Sequence, residues 1–212
     1  MKIHVFTFNA YSENTYLLCN DEGECAIVDP GCYTKPEQIE LDDYIIKNKL
    51  KPVLLLNTHC HIDHVLGNRF VCEKYNLLPQ YSVEEVPVLR AVTVYAPNQG
   101  FRYNESPLAE KYLKEGEDIK LGSVSLKVIF TPGHSPGSLS FYHSESNQLI
   151  AGDVLFANSI GRTDLPGGDY QTLINSIQQK LMILPDETIV YAGHGPKTTI
   201  GKERKSNPFL NQ

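Results

Sequence analysis

Three short runs of β-type residues open the chain, at 3–8, 14–18 and 25–29, the last closing on the turn signal Asp29-Pro30-Gly31. They predict an antiparallel opening sheet. Pro36 then starts a helix whose apolar positions Ile39, Ile45 and Ile46 are expected to face a core, and the continuous run Val53-Leu54-Leu55-Leu56 reads as a buried strand. Residues 82–113 are rich in polar side chains and interrupted by Pro97, Gly100 and Pro107, which predicts a mixture of helix and loop; a lid is the role their placement suggests. Strand patterns return at 119–130, 138–142 and 148–151, with a turn at 144–147, then a helix at about 170–182, a strand at 188–191 and a short helix near 199–205. Two β-rich blocks with outer helices predict an α+β fold, a four-layer αββα sandwich.

No linker-like stretch or repeat divides the 212 residues, and a chain of this length can bury a sufficient core alone, so one domain over 1–212 is expected. A net charge of -6 argues against broad attraction to nucleic acid or anionic lipid. The N-terminal run is too short for a signal peptide and no stretch approaches the roughly 20 apolar residues of a membrane span, so the chain is expected to begin as given and to be cytoplasmic, with no membrane partner. Cys19, Cys25, Cys32, Cys60 and Cys72 form an odd set without a CxxC pair, which suits free thiols in a reducing compartment.

Candidate chemistry gathers where the strand patterns stop. His59, Cys60 and His61 follow the run at 53–56, His134 follows Val128-Ile129-Phe130, Asp153 follows Leu149-Ile150-Ala151, and His194 follows Ile189-Val190-Tyr191. Loops fixed by rigid strands are where active sites are usually built. His59-x-His61-x-Asp63-His64 packs four N/O donors into six residues, which is too polar for a core segment without a cation. Glycines beside His134, Asp153 and His194 let the backbone approach closely. Cys60, between two candidate ligands on an extended segment, is expected to point away from them as a buried structural thiol.

With these motifs in place, the sequence resembles the metallo-β-lactamase superfamily over nearly its whole length, and within it the glyoxalase II-like hydrolases. The resemblance implies one metal on His59, His61 and His134, a second on Asp63, His64 and His194, and Asp153 bridging, with Asp63 and Asp153 as the catalytic carboxylates. It implies two divalent ions, zinc first with iron or manganese as alternatives. Asp29 matches the family's first motif as a residue that orients a ligand without being one. The activity implied is hydrolysis by a hydroxide shared between two metals, which needs no protein nucleophile. A small-molecule thioester such as lactoylglutathione is the substrate expected, because a leaving thiol with a pKa near 8.5 departs with little help from an acid.

The chain ends about eighteen residues after His194, as in short stand-alone bacterial members of the group that lack the C-terminal helical domain of the larger glyoxalase II enzymes. Gly161-Arg162-Thr163-Asp164 also resembles them, and Arg162 is a candidate contact for an anionic substrate. The alternatives within the fold are a persulfide dioxygenase with one iron on the equivalents of His59, His134 and Asp153, a lactonase, and a non-catalytic metal-binding module. The dioxygenases carry Asp-Tyr after the last His where this chain has Gly195-Pro196, which favours the hydrolase. Asp153 argues against a true lactamase, since those lack the bridging carboxylate.

Overall fold

The structure, a computed structural model, describes residues 1–210. β1 (Lys2–Phe8), β2 (Glu13–Cys19) and β3 (Glu24–Val28) form the antiparallel meander expected, with β1 and β2 in register from Lys2 opposite Cys19 to Phe8 opposite Glu13. α1 (Lys35–Lys47) begins at a capping box: the Thr34 hydroxyl accepts the Glu37 N–H, and the Glu37 carboxylate accepts the Thr34 N–H at 2.6 Å. Its buried stripe is Leu41 and Ile45, one turn apart; Ile39 and Ile46 are 47% and 63% exposed, against the expectation that they face the core. At 100° per residue, both lie well round the cylinder from the Leu41–Ile45 line.

α1 crosses over to β4 (Lys51–Leu56), parallel to β3, and β5 (Pro79–Gln80) extends the sheet beyond it. Between β4 and β5 lie α2 (Ile62–Val65) and α3 (Asn68–Tyr75). α3 has no counterpart in the sequence reading; it is eight residues long and closes on Asn76 in the left-handed region, too short to show a period. α4 (Val86–Tyr95) follows. The second sheet contains β6 (Asp118–Leu121), β7 (Val124–Phe130), β8 (Leu139–His143) and β9 (Gln148–Gly152). A small hairpin, β10 (Leu155–Phe156) with β11 (Ser159–Ile160), precedes α5 (Tyr170–Ser176), and the chain then adds β12 (Ile189–Ala192), β13 (Thr198–Thr199) and α6 (Ile200–Ser206). The two large sheets run β1-β2-β3-β4-β5 and β13-β12-β9-β8-β7-β6.

The sheets face each other across a core in which Leu18, Ala26, Val28 and Leu56 meet Leu126, Val128, Leu139, Phe141 and Ile150. Leu41, Ile45 and Val71 of α1 and α3 cover the outer face of the first sheet, and Leu173, Ile174 and Ile200 of α5 and α6 cover that of the second. This is the αββα sandwich. Residues 82–113 are packed down along their length: Leu89 and Val92 of α4, with Phe101 and Ala109, share a buried cluster with Cys60, Ile62, Val65 and Leu66, so α4 walls the α2 region. No helix among the described residues is long and apolar enough to cross a membrane.

Topology decides where the site can form. β7 and β9 both run antiparallel to β8, and β12 runs parallel to β9, so all three finish at the same edge of their sheet. The end of β4 is tied to that edge by the Leu139 N–H donating to the Thr58 carbonyl at 2.7 Å. Loops with the densest polar chemistry in the sequence are thereby delivered to one place.

Candidate metal centre

The structure brings all seven predicted residues together. In one group His61 Nδ1 lies 2.9 Å from His134 Nε2, which lies 3.2 Å from His59 Nε2. In the other, Asp63 Oδ2 is 3.1 Å from His194 Nε2 and 3.6 Å from His64 Nε2. Each set of three presents ligand atoms close enough for one ion. Asp153 sits between them: Oδ1 is 3.5 Å from His64 Nε2, and Oδ2 is 3.5 Å from both His134 Nε2 and His194 Nε2.

Outer partners fix which imidazole nitrogen faces inward. His64 Nδ1 is 3.1 Å from Asp29 Oδ2, His134 Nδ1 2.8 Å from the Arg162 carbonyl, and His194 Nδ1 3.1 Å from the Tyr11 carbonyl. Each of these oxygens only accepts, so Nδ1 carries a proton and Nε2 is the nitrogen turned inward. Thr58 gives its hydroxyl proton to Asp29 at 2.6 Å, which leaves its oxygen to accept from His59 Nδ1 at 3.1 Å. Only His61 turns Nδ1 inward. Asp29 is therefore engaged by the Thr58 N–H, the Thr58 hydroxyl and His64, which agrees with an orienting rather than a ligating role. A third grouping, of Asp29 with His59 and His64, depends on an Asp29 carboxylate already held by Thr58 and His64.

Burial pushes the pKa of His59, His61 and His134 down, that of His61 to about 3, so these rings are neutral at pH 7. Burial opposes charge on His64 and His194 too, but the carboxylates of Asp63 and Asp153 outweigh it and raise both. Burial likewise acts against the charge on Asp63 and Asp153, and the facing histidines overcome it, holding both below the usual carboxylate range. His64 Nε2 and Asp153 Oδ1 are fully buried without a hydrogen-bond partner. Such atoms cost free energy unless a cation satisfies them, and imidazole with carboxylate is a donor set that suits zinc, iron or manganese. Gly193 adds shape: a Cβ there would collide with Asp153 Oδ1 and come within 2.8 Å of His64.

The sequence model of the metallo-beta-lactamase superfamily matches residues 9–194. The chain belongs to the metallo-β-lactamase superfamily. Among relatives of this superfamily member, the hydroxyacylglutathione hydrolase GloC of Haemophilus influenzae is 38% identical, with 100% of this chain and 99% of that protein covered. Among solved structures, the BLEG-1 B3 metallo-beta-lactamase is 36% identical at a TM-score of 0.90, each chain fully covered. TTHA1623, solved in a di-iron-bound form, is also 36% identical, with a TM-score of 0.87 over 98% of this chain and 100% of that one. Membership, together with the His/Asp clusters, supports a metal-dependent hydrolase.

Cys60 is fully buried in the α4 cluster, and burial pushes its thiol well up, in keeping with a structural role. The Arg162 guanidinium is exposed and paired with both Asp164 oxygens at 2.7 Å, while its carbonyl is what touches the site, through His134. Sequence reasoning missed Asn14 and Glu85. Buried Asn14 donates to the Ala192 carbonyl at 3.1 Å and the Gly195 carbonyl at 2.9 Å, clamping the backbone on both sides of His194. An asparagine in a strand gives no signal for this. Glu85, beside Glu84 in the polar 82–113 stretch, is fully buried.

Proposed function

We propose that this protein is a dinuclear metallo-hydrolase acting on thioesters, with S-lactoylglutathione the first candidate substrate. The observation that carries the reading is Asp153: its two oxygens lie 3.5 Å from ring nitrogens of both groups, so one carboxylate is within reach of both ligand sets. His59, His61 and His134 would hold one ion, and Asp63, His64 and His194 the other, with zinc preferred and iron or manganese as alternatives. Bound there, two such ions would polarise a carbonyl and bring the pKa of water from 15.7 to about 7. The 38% identity to a hydroxyacylglutathione hydrolase over the full chain supports the substrate class.

The chain's own residues supply orientation and access. Protons held at Nδ1 of His59, His64, His134 and His194 keep each Nε2 turned inward, and Asp29 anchors two of those rings at once. His59 and His64 close the floor of the site, whereas His61, Asp63 and His194 are partly exposed, the last two at 14% and 27% of their side chains, so substrate approaches across these three. A thioester leaves as a thiolate with a pKa near 8.5, so no protein acid has to be found for the departing group.

The test pairs a metal count on purified protein with kcat/KM for S-lactoylglutathione, for the lactoyl thioester of cysteamine, for a lactone and for a β-lactam, alongside oxygen uptake with glutathione persulfide. Two metals per chain and thioester turnover without oxygen consumption are expected. One iron with persulfide-dependent oxygen uptake would replace the reading with a dioxygenase. Faster cleavage of the β-lactam than of either thioester would assign the lactamase activity that BLEG-1's name carries.

A further inference from the structure

Glu85 precedes α4 and lies outside every sequence motif of the site, yet its carboxylate reaches both loops that carry the three-histidine group. Oε2 accepts the N–H of Cys60, the residue between His59 and His61, at 2.7 Å. Oε1 accepts the Ser135 hydroxyl at 2.6 Å and the Gly137 N–H at 2.7 Å, just beyond His134. All three contacts donate to Glu85, and both of its oxygens are used. The approach depends on a missing side chain as well: a Cβ on Gly137 would lie 2.8 Å from Glu85 Cγ and 2.9 Å from its backbone nitrogen. The Asp63, His64 and His194 group has no such link to Glu85; its supports are Asp29, Asn14 and the Tyr11 carbonyl.

We infer that Glu85 is a positioning residue that sets the separation of the His59–His61 loop from the His134 loop, and with it the metal affinity of the three-histidine site alone. The inference rests on the dinuclear reading above. Buried backbone N–H groups and a buried hydroxyl need acceptors, so the carboxylate ties the loops together at fixed length. Glutamine at this position keeps the volume but turns an NH2 group towards one set of donors. One loop must then swing away, taking its histidines with it.

The experiment loads full-length protein with zinc, adds chelator in steps and counts the zinc retained, with His61→Ala and His194→Ala assigning the two release steps to their sites. Wild type should release two zinc ions in separable steps. Glu85→Gln should weaken the step that His61→Ala abolishes by about 10- to 100-fold, the range usual for partners of metal ligands, and leave the step abolished by His194→Ala within error. Equal weakening of both steps, or of neither, would show that Glu85 only stabilises the fold and overturns the inference. If Glu85→Gln does not accumulate as folded protein, Ser135→Ala removes one of the three donors and is judged by the same site-selective loss. A wild type that binds fewer than two ions overturns the dinuclear reading itself, and this inference with it.

Discussion

The group of His59, His61 and His134 and the group of Asp63, His64 and His194 lie side by side and share Asp153, yet they are built differently. The first is all imidazole, driven neutral by burial, and tied from outside by Glu85. The second brings a carboxylate of its own and raises the pKa of its histidines. A neutral ligand set has only the shared Asp153 carboxylate to draw it together, so outside ties such as Glu85 carry more of its geometry. A set with a carboxylate has part of that attraction built in. Both groups are held from outside, the first by Glu85 and the second by Asp29, Asn14 and the Tyr11 carbonyl, and the second adds a carboxylate of its own.

The largest effect should come from removing what the two groups share. Asp153→Ala is expected to abolish turnover and lower the metal content, a loss exceeding the roughly 10- to 100-fold typical of outer partners. Near wild-type kcat/KM with both ions retained would refute the bridging position. Asp29→Ala should fall inside that 10- to 100-fold range, since Asp29 orients His64 directly and His59 through Thr58. Steady-state kinetics beside a metal count would place it between Asp153→Ala and wild type.

In protein stripped of metal the histidines of the two groups respond to pH with opposite signs. The depressed pKa values of His59, His61 and His134 mean that the unfolded chain takes up protons first as pH falls below about 6.5. Stability from this group is therefore lost from there down towards about pH 3, where His61 titrates. His64 and His194 have raised values, so their contribution is full below about pH 6.5 and is lost as pH rises through those raised values. Urea unfolding midpoints across this range should show His61→Ala flattening the acid-side loss and His194→Ala flattening the alkaline-side loss. Parallel changes in the two variants would break the contrast.

The smallest effect is expected at Arg162→Ala. Its guanidinium is exposed and engaged with exposed Asp164, and only its backbone supports His134. Melting temperature and metal content should match wild type. A rise in KM for an anionic thioester with kcat unchanged would restore the role in substrate contact that its sequence context suggests.

By itself the sequence determined the order of most strands and helices, the αββα class, and the seven residues that the structure brings together. These were legible because their signals are local: strand periods that end in Gly, Pro or Asp, and four donors within six residues after β4. Tertiary structure alone decided the rest. Which nitrogen each histidine offers depends on oxygens such as those of Tyr11 and Arg162, 183 and 28 positions away from the rings they bind. Glu85 meets Ser135 across 50 positions, and Asn14 meets Ala192 across 178. On α1, the choice of Leu41 over Ile39 and Ile46 as a buried position came from where the first sheet lies against the helix. An isolated acid, amide or apolar residue has the same local pattern whether solvated or buried; only the fold fixes its dielectric surroundings and its partners, and those determine what it does.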